Sequence, residues 1–100
     1  MSPNPVIVGT GSHAPERVMP NKELEEMVDT SDEWIQKRTG IKRRHIADED
    51  KASSDLGFEA AKEALEDADM EAEELDQIVV ATSTPDMLFP ATACVLQDKL

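Results

Sequence analysis

The side chains best suited to hold a planar, charged ligand are Trp34 and Arg38, four residues apart in TSDEWIQKRTG at residues 30–40. A tryptophan face stacks on a heterocycle, and a guanidinium one helical turn away can reach a phosphate bidentately or cover the ring's other side. Adenine with a phosphate would use both. On the residues alone a plainer reading carries more weight, a partly buried tryptophan shielded by a surface cation. Cys94 is the candidate nucleophile, because a thiolate is the strongest nucleophile a side chain offers and helix N-termini lower its pKa. Its neighbours Ala91, Ala93 and Val95 point instead to a small buried hydrophobe on an apolar helix face, with no histidine placed beside it. His13 and His45 have no metal-ligand spacing to each other or to a carboxylate pair and read as structural or solvated. The glycines of GTGS, residues 9–12, are too few and wrongly arranged for a dinucleotide or P-loop fingerprint and read as a tight turn.

The elements around these residues follow from periodicity. Thr30 and Glu33 have capping-box spacing, which predicts a helix with Trp34 and Arg38 on one face and Gly40 as its left-handed stop. NKELEEMVD, residues 21–29, reads as a short helix with Asn21 as N-cap and Leu24, Met27 and Val28 on one face. PVIVGTGSH, residues 5–13, reads as a strand leaving into a loop, and IKRRHIA, residues 41–47, as an irregular or edge strand. A longer helix starts near Ser54, with Leu56, Ala60, Ala61, Ala64, Leu65 and Ala68 on one stripe whose alanines require a close neighbour. DQIVVATST, residues 76–84, has the continuous apolar character of a strand buried on both faces of a parallel sheet. TPDMLFP is then a loop, and Pro90 opens the first turn of a last helix, residues 90–100. Strand, helices and strand in this order indicate a crossover unit of an α/β fold. The last helix has no cap and nothing to cover its apolar face, so Leu100 is expected to be a truncation point.

Composition narrows the partners. The 100 residues are enough for one small domain, and 39% apolar with 32% charged residues is a globular balance. The 22 acidic against 10 basic residues give a net charge of −12, which disfavours nucleic acid and anionic membrane. Half the cations nonetheless cluster at Lys37, Arg38, Lys42, Arg43 and Arg44, which fits either a small anionic ligand or ion pairs with Asp48, Glu49 and Asp50. Ion pairs are the simpler account. The single cysteine excludes an internal disulfide and CxxC patterns. No signal-peptide pattern or long apolar run appears, which makes the cytoplasm the expected compartment.

Four stretches together carry a resemblance: VGTGSHAPERV at residues 8–18, NKELEEMVDTSDEWIQKRTGIKRRHIA at 21–47, SSDLGFEAAKEAL at 53–65 and IVVATSTPDMLFPATACVLQ at 78–97. The chain resembles the N-terminal part of β-ketoacyl-acyl-carrier-protein synthase III, a condensing enzyme of the thiolase-like superfamily. The resemblance implies a layered α/β/α/β/α fold, of which residues 1–100 are an incomplete N-terminal part. It implies that Trp34 stacks on the adenine of coenzyme A, that Arg38 contacts the nucleotide end, and that Thr30 stands close by in the same motif. Phe89 resembles the residue that lines the acyl pocket of the partner subunit in a homodimer. The implied reaction moves an acyl group, acetyl as the expected starter, from acyl-CoA to a cysteine and condenses it with malonyl-acyl carrier protein. No permanently bound cofactor is implied. The cysteine, histidine and asparagine of that chemistry lie outside this chain, and Cys94 matches a non-catalytic cysteine. The alternatives are a non-decarboxylating or secondary-metabolite starter acyltransferase, or a non-catalytic binding or dimerisation piece.

Overall fold

Regular structure begins at a strand, β1 (Arg17–Pro20), in a computed structural model that describes residues 4–100. It continues through α1 (Asn21–Glu25), α2 (Asp32–Thr39), β2 (Arg43–Ile46), α3 (Ser53–Ala68), a 3₁₀ turn (Ala72–Glu74) and α4 (Thr92–Lys99). Two compact units result, residues 14–49 and residues 4–13 with 50–100.

In the first unit β1 and β2 pair antiparallel, with Arg17 opposite Ile46 and Pro20 opposite Arg43. Met19 is buried on this ribbon. Pro20 ends the strand, where its missing N–H costs no ladder bond, and its extended backbone is the N-cap of α1. Asn21 is therefore not the cap expected from the sequence; it is the first helical residue and is buried. Met27 and Val28, expected on the apolar face of this helix, lie beyond its end and are exposed.

The next helix, α2, starts one residue later than the Thr30 spacing predicts. Ser31 holds the extended N-cap conformation, and its Oγ accepts from the Trp34 N–H at 3.1 Å. The Asp32 N–H donates to Glu25 Oε1 at 2.7 Å, so α1 satisfies a first-turn donor of α2. Gly40 ends the helix as expected, at φ 74°, donating to Gln36 O at 2.8 Å. Ile35 is the buried residue of α2.

In the second unit α3 begins with the Ala52 N–H donating to Asp55 Oδ2 at 2.8 Å and ends at Asp69 in the left-handed region, φ 53°. Its alanine stripe does have a close neighbour. A Cβ on Gly9 would lie 2.5 Å from Ala64 O and 2.8 Å from Ala68 Cβ, and one on Gly11 would lie 2.6 Å from Ala64 N. Neither glycine has a positive φ, so they serve close approach to α3 rather than the tight turn read from the sequence. The Thr10 N–H donates to Asp67 Oδ2 at 3.0 Å between them.

Packing of α4 on α3 places Leu96 in the core, and Lys99 Nζ meets Asp55 Oδ1 at 2.9 Å. Ala91 is the N-cap of α4, so Pro90 precedes the helix instead of opening its first turn.

The strands expected at residues 5–13 and 76–84 do not form ladders among the described residues. A strand is completed by its neighbour, and Val6, Ile7, Val8 and Val79 remain exposed. No helix among the described residues is long and apolar enough to cross a membrane.

Candidate functional site

Helix α2 brings Trp34 and Arg38 together as their spacing requires. The Arg38 guanidinium carbon stands 5.5 Å from the centre of the Trp34 ring, within cation–π range. The tryptophan is 55% exposed while Ile35, next in sequence, is buried, so α2 anchors through one face and presents the pair on another. The backbone beneath the pair is held at both ends, by Ser31 at the start and by Gly40 at the stop. Thr39 Oγ1 adds a bond to Ile35 O at 2.7 Å and accepts from the Ile41 N–H at 3.0 Å. Lys37 and Arg38 occupy the last turn, where the helix dipole favours cations. Thr30 lies in the turn before the cap and is half-buried.

The basic cluster does not form the ion pairs expected with Asp48, Glu49 and Asp50. Among the described residues the ion pairs are Arg17–Glu23, Lys62–Glu59 and Lys99–Asp55. Arg44 instead turns inward, donating through Nη1 to Met19 O at 3.3 Å and through Nη2 to Asn21 Oδ1 at 2.8 Å. Lys37, Arg38, Lys42 and Arg43 remain exposed around the tryptophan-bearing helix and its exit. Asp32, first residue of α2, has its carboxyl held below its ordinary value of 3.8. The cause is chiefly the hydrogen bond from Gln36, then that from Asn21.

Phe89 is described within its own unit, in the segment before α4. It is 89% exposed, and Leu88 beside it is fully exposed. Cys94 is also exposed, contrary to the buried position expected of it. It lines a cavity of about 490 Å³ with Leu75, Ile78, Gln97 and Leu100. His45 Nδ1 donates to Pro15 O at 2.6 Å, a structural bond, and His13 is exposed.

Two functional-looking polar residues escape a reading by local spacing. Asn21 is 1% exposed and bonds to three other segments of its unit. Asp86 accepts from Ser54 N–H at 2.9 Å and Ser54 Oγ at 2.5 Å, while its own N–H donates to Thr92 Oγ1 at 3.3 Å. It thus ties the first turns of α3 and α4. The only sequence signal for Asp86 is its place after Pro85, a loop position suited to an acceptor.

By its likeness to solved structures the chain has part of a thiolase-like α/β fold. More particularly, the chain matches the β-ketoacyl-[acyl-carrier-protein] synthase III family in both sequence and structure. It is 62% identical over 94 residues to the beta-ketoacyl-[acyl-carrier-protein] synthase III of Caldanaerobacter subterraneus subsp. tengcongensis, covering 94% of this chain and 28% of that protein. The crystal structure of 3-oxoacyl-[acyl-carrier-protein] synthase III from Aquifex aeolicus superposes with a TM-score of 0.85 at 52% identity, over 93% of this chain and 30% of that one. The priming β-ketosynthase of the R1128 polyketide biosynthetic pathway superposes with a TM-score of 0.86 at 35% identity, over 93% of this chain and 28% of that one. The chain therefore spans somewhat over a quarter of the length of the relatives it matches. No family model matches it.

Proposed function

We propose that residues 1–100 are the N-terminal segment of a condensing acyltransferase, and that α2 carries its coenzyme A clamp. The whole protein would take an acyl group, acetyl by expectation, from acyl-CoA onto a cysteine outside this chain and condense it with malonyl-acyl carrier protein, in the cytoplasm and as a homodimer. The observation that carries this reading is the Trp34–Arg38 pair, an exposed indole with a guanidinium 5.5 Å from its ring centre. An adenine can lie on that indole, and the surrounding cations Lys37, Lys42 and Arg43 give an otherwise acidic chain a local attraction for phosphates. Thr30 completes the clamp at the helix entrance. Phe89, exposed on its loop, reaches the acyl pocket of the partner subunit, and the chain by itself has no catalytic nucleophile. Acyl-CoA acts as a substrate rather than a resident cofactor.

The test is Trp34→Ala in the full-length protein. Loss of base stacking of about 1 kcal/mol or more raises the KM for acyl-CoA at least about five-fold. An unchanged acyl-CoA dependence in a folded variant refutes the clamp. The likeness to the polyketide priming β-ketosynthase supports a second reading, a starter-unit acyltransferase of secondary metabolism. Turnover of a series of acyl-CoA starters separates the two, since preference for acetyl-CoA favours the first and preference for longer starters the second.

A further inference from the structure

We propose that Asn21 is the positioning residue of the Trp34–Arg38 pair, an inference that rests on the clamp reading above. Asn21 is 1% exposed, and its side-chain amide makes three hydrogen bonds. Nδ2 donates to Asp32 Oδ1 at 2.8 Å and to Ile41 O at 2.7 Å, and Oδ1 accepts from Arg44 Nη2 at 2.8 Å. An ionised Asp32 can only accept and Arg44 can only donate, so the orientation of the amide is unambiguous. The two acceptors bracket α2, because Asp32 is its first residue and Ile41 lies just past its Gly40 stop. One side chain therefore holds both ends of the short helix on which Trp34 and Arg38 stand. The Asn21 N–H also donates to Lys42 O at 3.1 Å, and Arg44 extends the network to Met19 O on β1.

The chemistry of this hub admits few replacements. Aspartate would set a carboxylate against the Asp32 carboxylate and the Ile41 carbonyl, and serine cannot span to both acceptors and Arg44 at once. Removing the amide frees the ends of α2 to shift relative to the ribbon, moving the clamp without touching the ligand. A mere packing role would lower stability and leave the affinity for acyl-CoA where it was.

The experiment uses the full-length protein and compares Asn21→Ser, Trp34→Ala and the double variant, with acetyl-CoA as the varied substrate at saturating malonyl-acyl carrier protein. The expected result for Asn21→Ser is a rise in KM for acetyl-CoA of roughly two- to four-fold with kcat retained, smaller than the rise in Trp34→Ala. In the Trp34→Ala background the same change should add little, because the clamp it positions is gone. Should Asn21→Ser fail to fold, Asp32→Ala removes one bond of the same hub from a half-buried helix end, and Asp32→Asn, which keeps an acceptor oxygen, should restore KM. An unchanged KM in folded Asn21→Ser or Asp32→Ala alongside a raised KM in Trp34→Ala overturns the positioning role alone. Equal, additive losses in kcat and kcat/KM overturn it too, as a general structural effect. No change in Trp34→Ala overturns the clamp reading itself and the proposal with it.

Discussion

Replacing Gly9 or Gly11 with alanine tests whether the first segment is shaped by its contact with α3. A Cβ at Gly9 meets Ala64 O at 2.5 Å and Ala68 N at 2.8 Å, and one at Gly11 meets Ala60 O and Ala64 N, all of them backbone atoms of a helix. A flexible side chain could swing aside, but helix backbone cannot, so the segment itself must lift. Overpacking of this kind costs about 1–3 kcal/mol. Lifting also strains the bond from the Thr10 N–H to Asp67 Oδ2, for up to about 1 kcal/mol more. The expected loss is therefore about 1–4 kcal/mol for either substitution. Gly57, inside α3 with nothing within 4 Å of its added Cβ, supplies the opposite sign: alanine there should stabilise by roughly 0.5–1 kcal/mol through helix propensity. Urea midpoints of the full-length protein, read at unchanged m-value, give all three numbers. Neutral behaviour at both Gly9 and Gly11, or a Gly57→Ala loss as large as theirs, would refute the close-approach account and return the two glycines to a turn.

The remaining predictions concern polar ties. Asp86→Ala leaves the buried Ser54 N–H and Oγ without their acceptor and should cost about 2–4 kcal/mol by denaturant unfolding, with Asp86→Asn losing about half as much; an Asp86→Ala loss below about 0.5 kcal/mol would contradict the tie. Asp32 and Asp55 are held below 3.8, Asp55 chiefly by its bond from the Ala52 N–H and then by Lys99, so each stabilises the fold above 3.8 and loses that contribution as pH falls through its folded value. Lys99 is held above 10.5 chiefly by its hydrogen bond to Asp55, so its contribution is full below 10.5 and fades as pH rises through its folded value. Stability measured against pH should therefore show Asp32→Asn altering the acid limb alone and Asp55→Asn altering both limbs. An alkaline limb untouched by Asp55→Asn would sink the pairing.

What could be read in the sequence was what a single helical turn decides. Trp34 and Arg38 meet because residues four apart on a helix share a face, and Gly40 stops α2 because glycine adopts φ 74° at no steric cost. The cap falls one residue later than the spacing predicts because Thr30 and Ser31 carry the same chemistry side by side, and the choice rests on which backbone is extended. The role of Asn21 is hidden from the sequence for a related reason. Asparagine is a strong N-cap, and nothing within a turn of it announces Asp32, Ile41 and Arg44, which stand 11, 20 and 23 positions away. Asp86 reaches Ser54 across 32 positions and leaves no periodic trace either.

Residues 5–13 and 76–84 show the other boundary of such reading. A β-branched run records that its side chains are to be buried, but the partner that buries them is a property of the sheet and not of the run. In a chain spanning somewhat over a quarter of its relatives' length, Val6, Ile7, Val8 and Val79 stay exposed, and so do Phe89 and Cys94. The apolar pattern and the observed exposure then carry different information, the first about the sheet these segments are suited to and the second about what this chain supplies. By contrast α2 gains its shape inside residues 14–49, from Ser31, Glu25, Asn21 and Gly40. That difference in where the partners lie is why α2 holds Trp34 and Arg38 from within its own unit while Phe89 and Cys94 stay exposed.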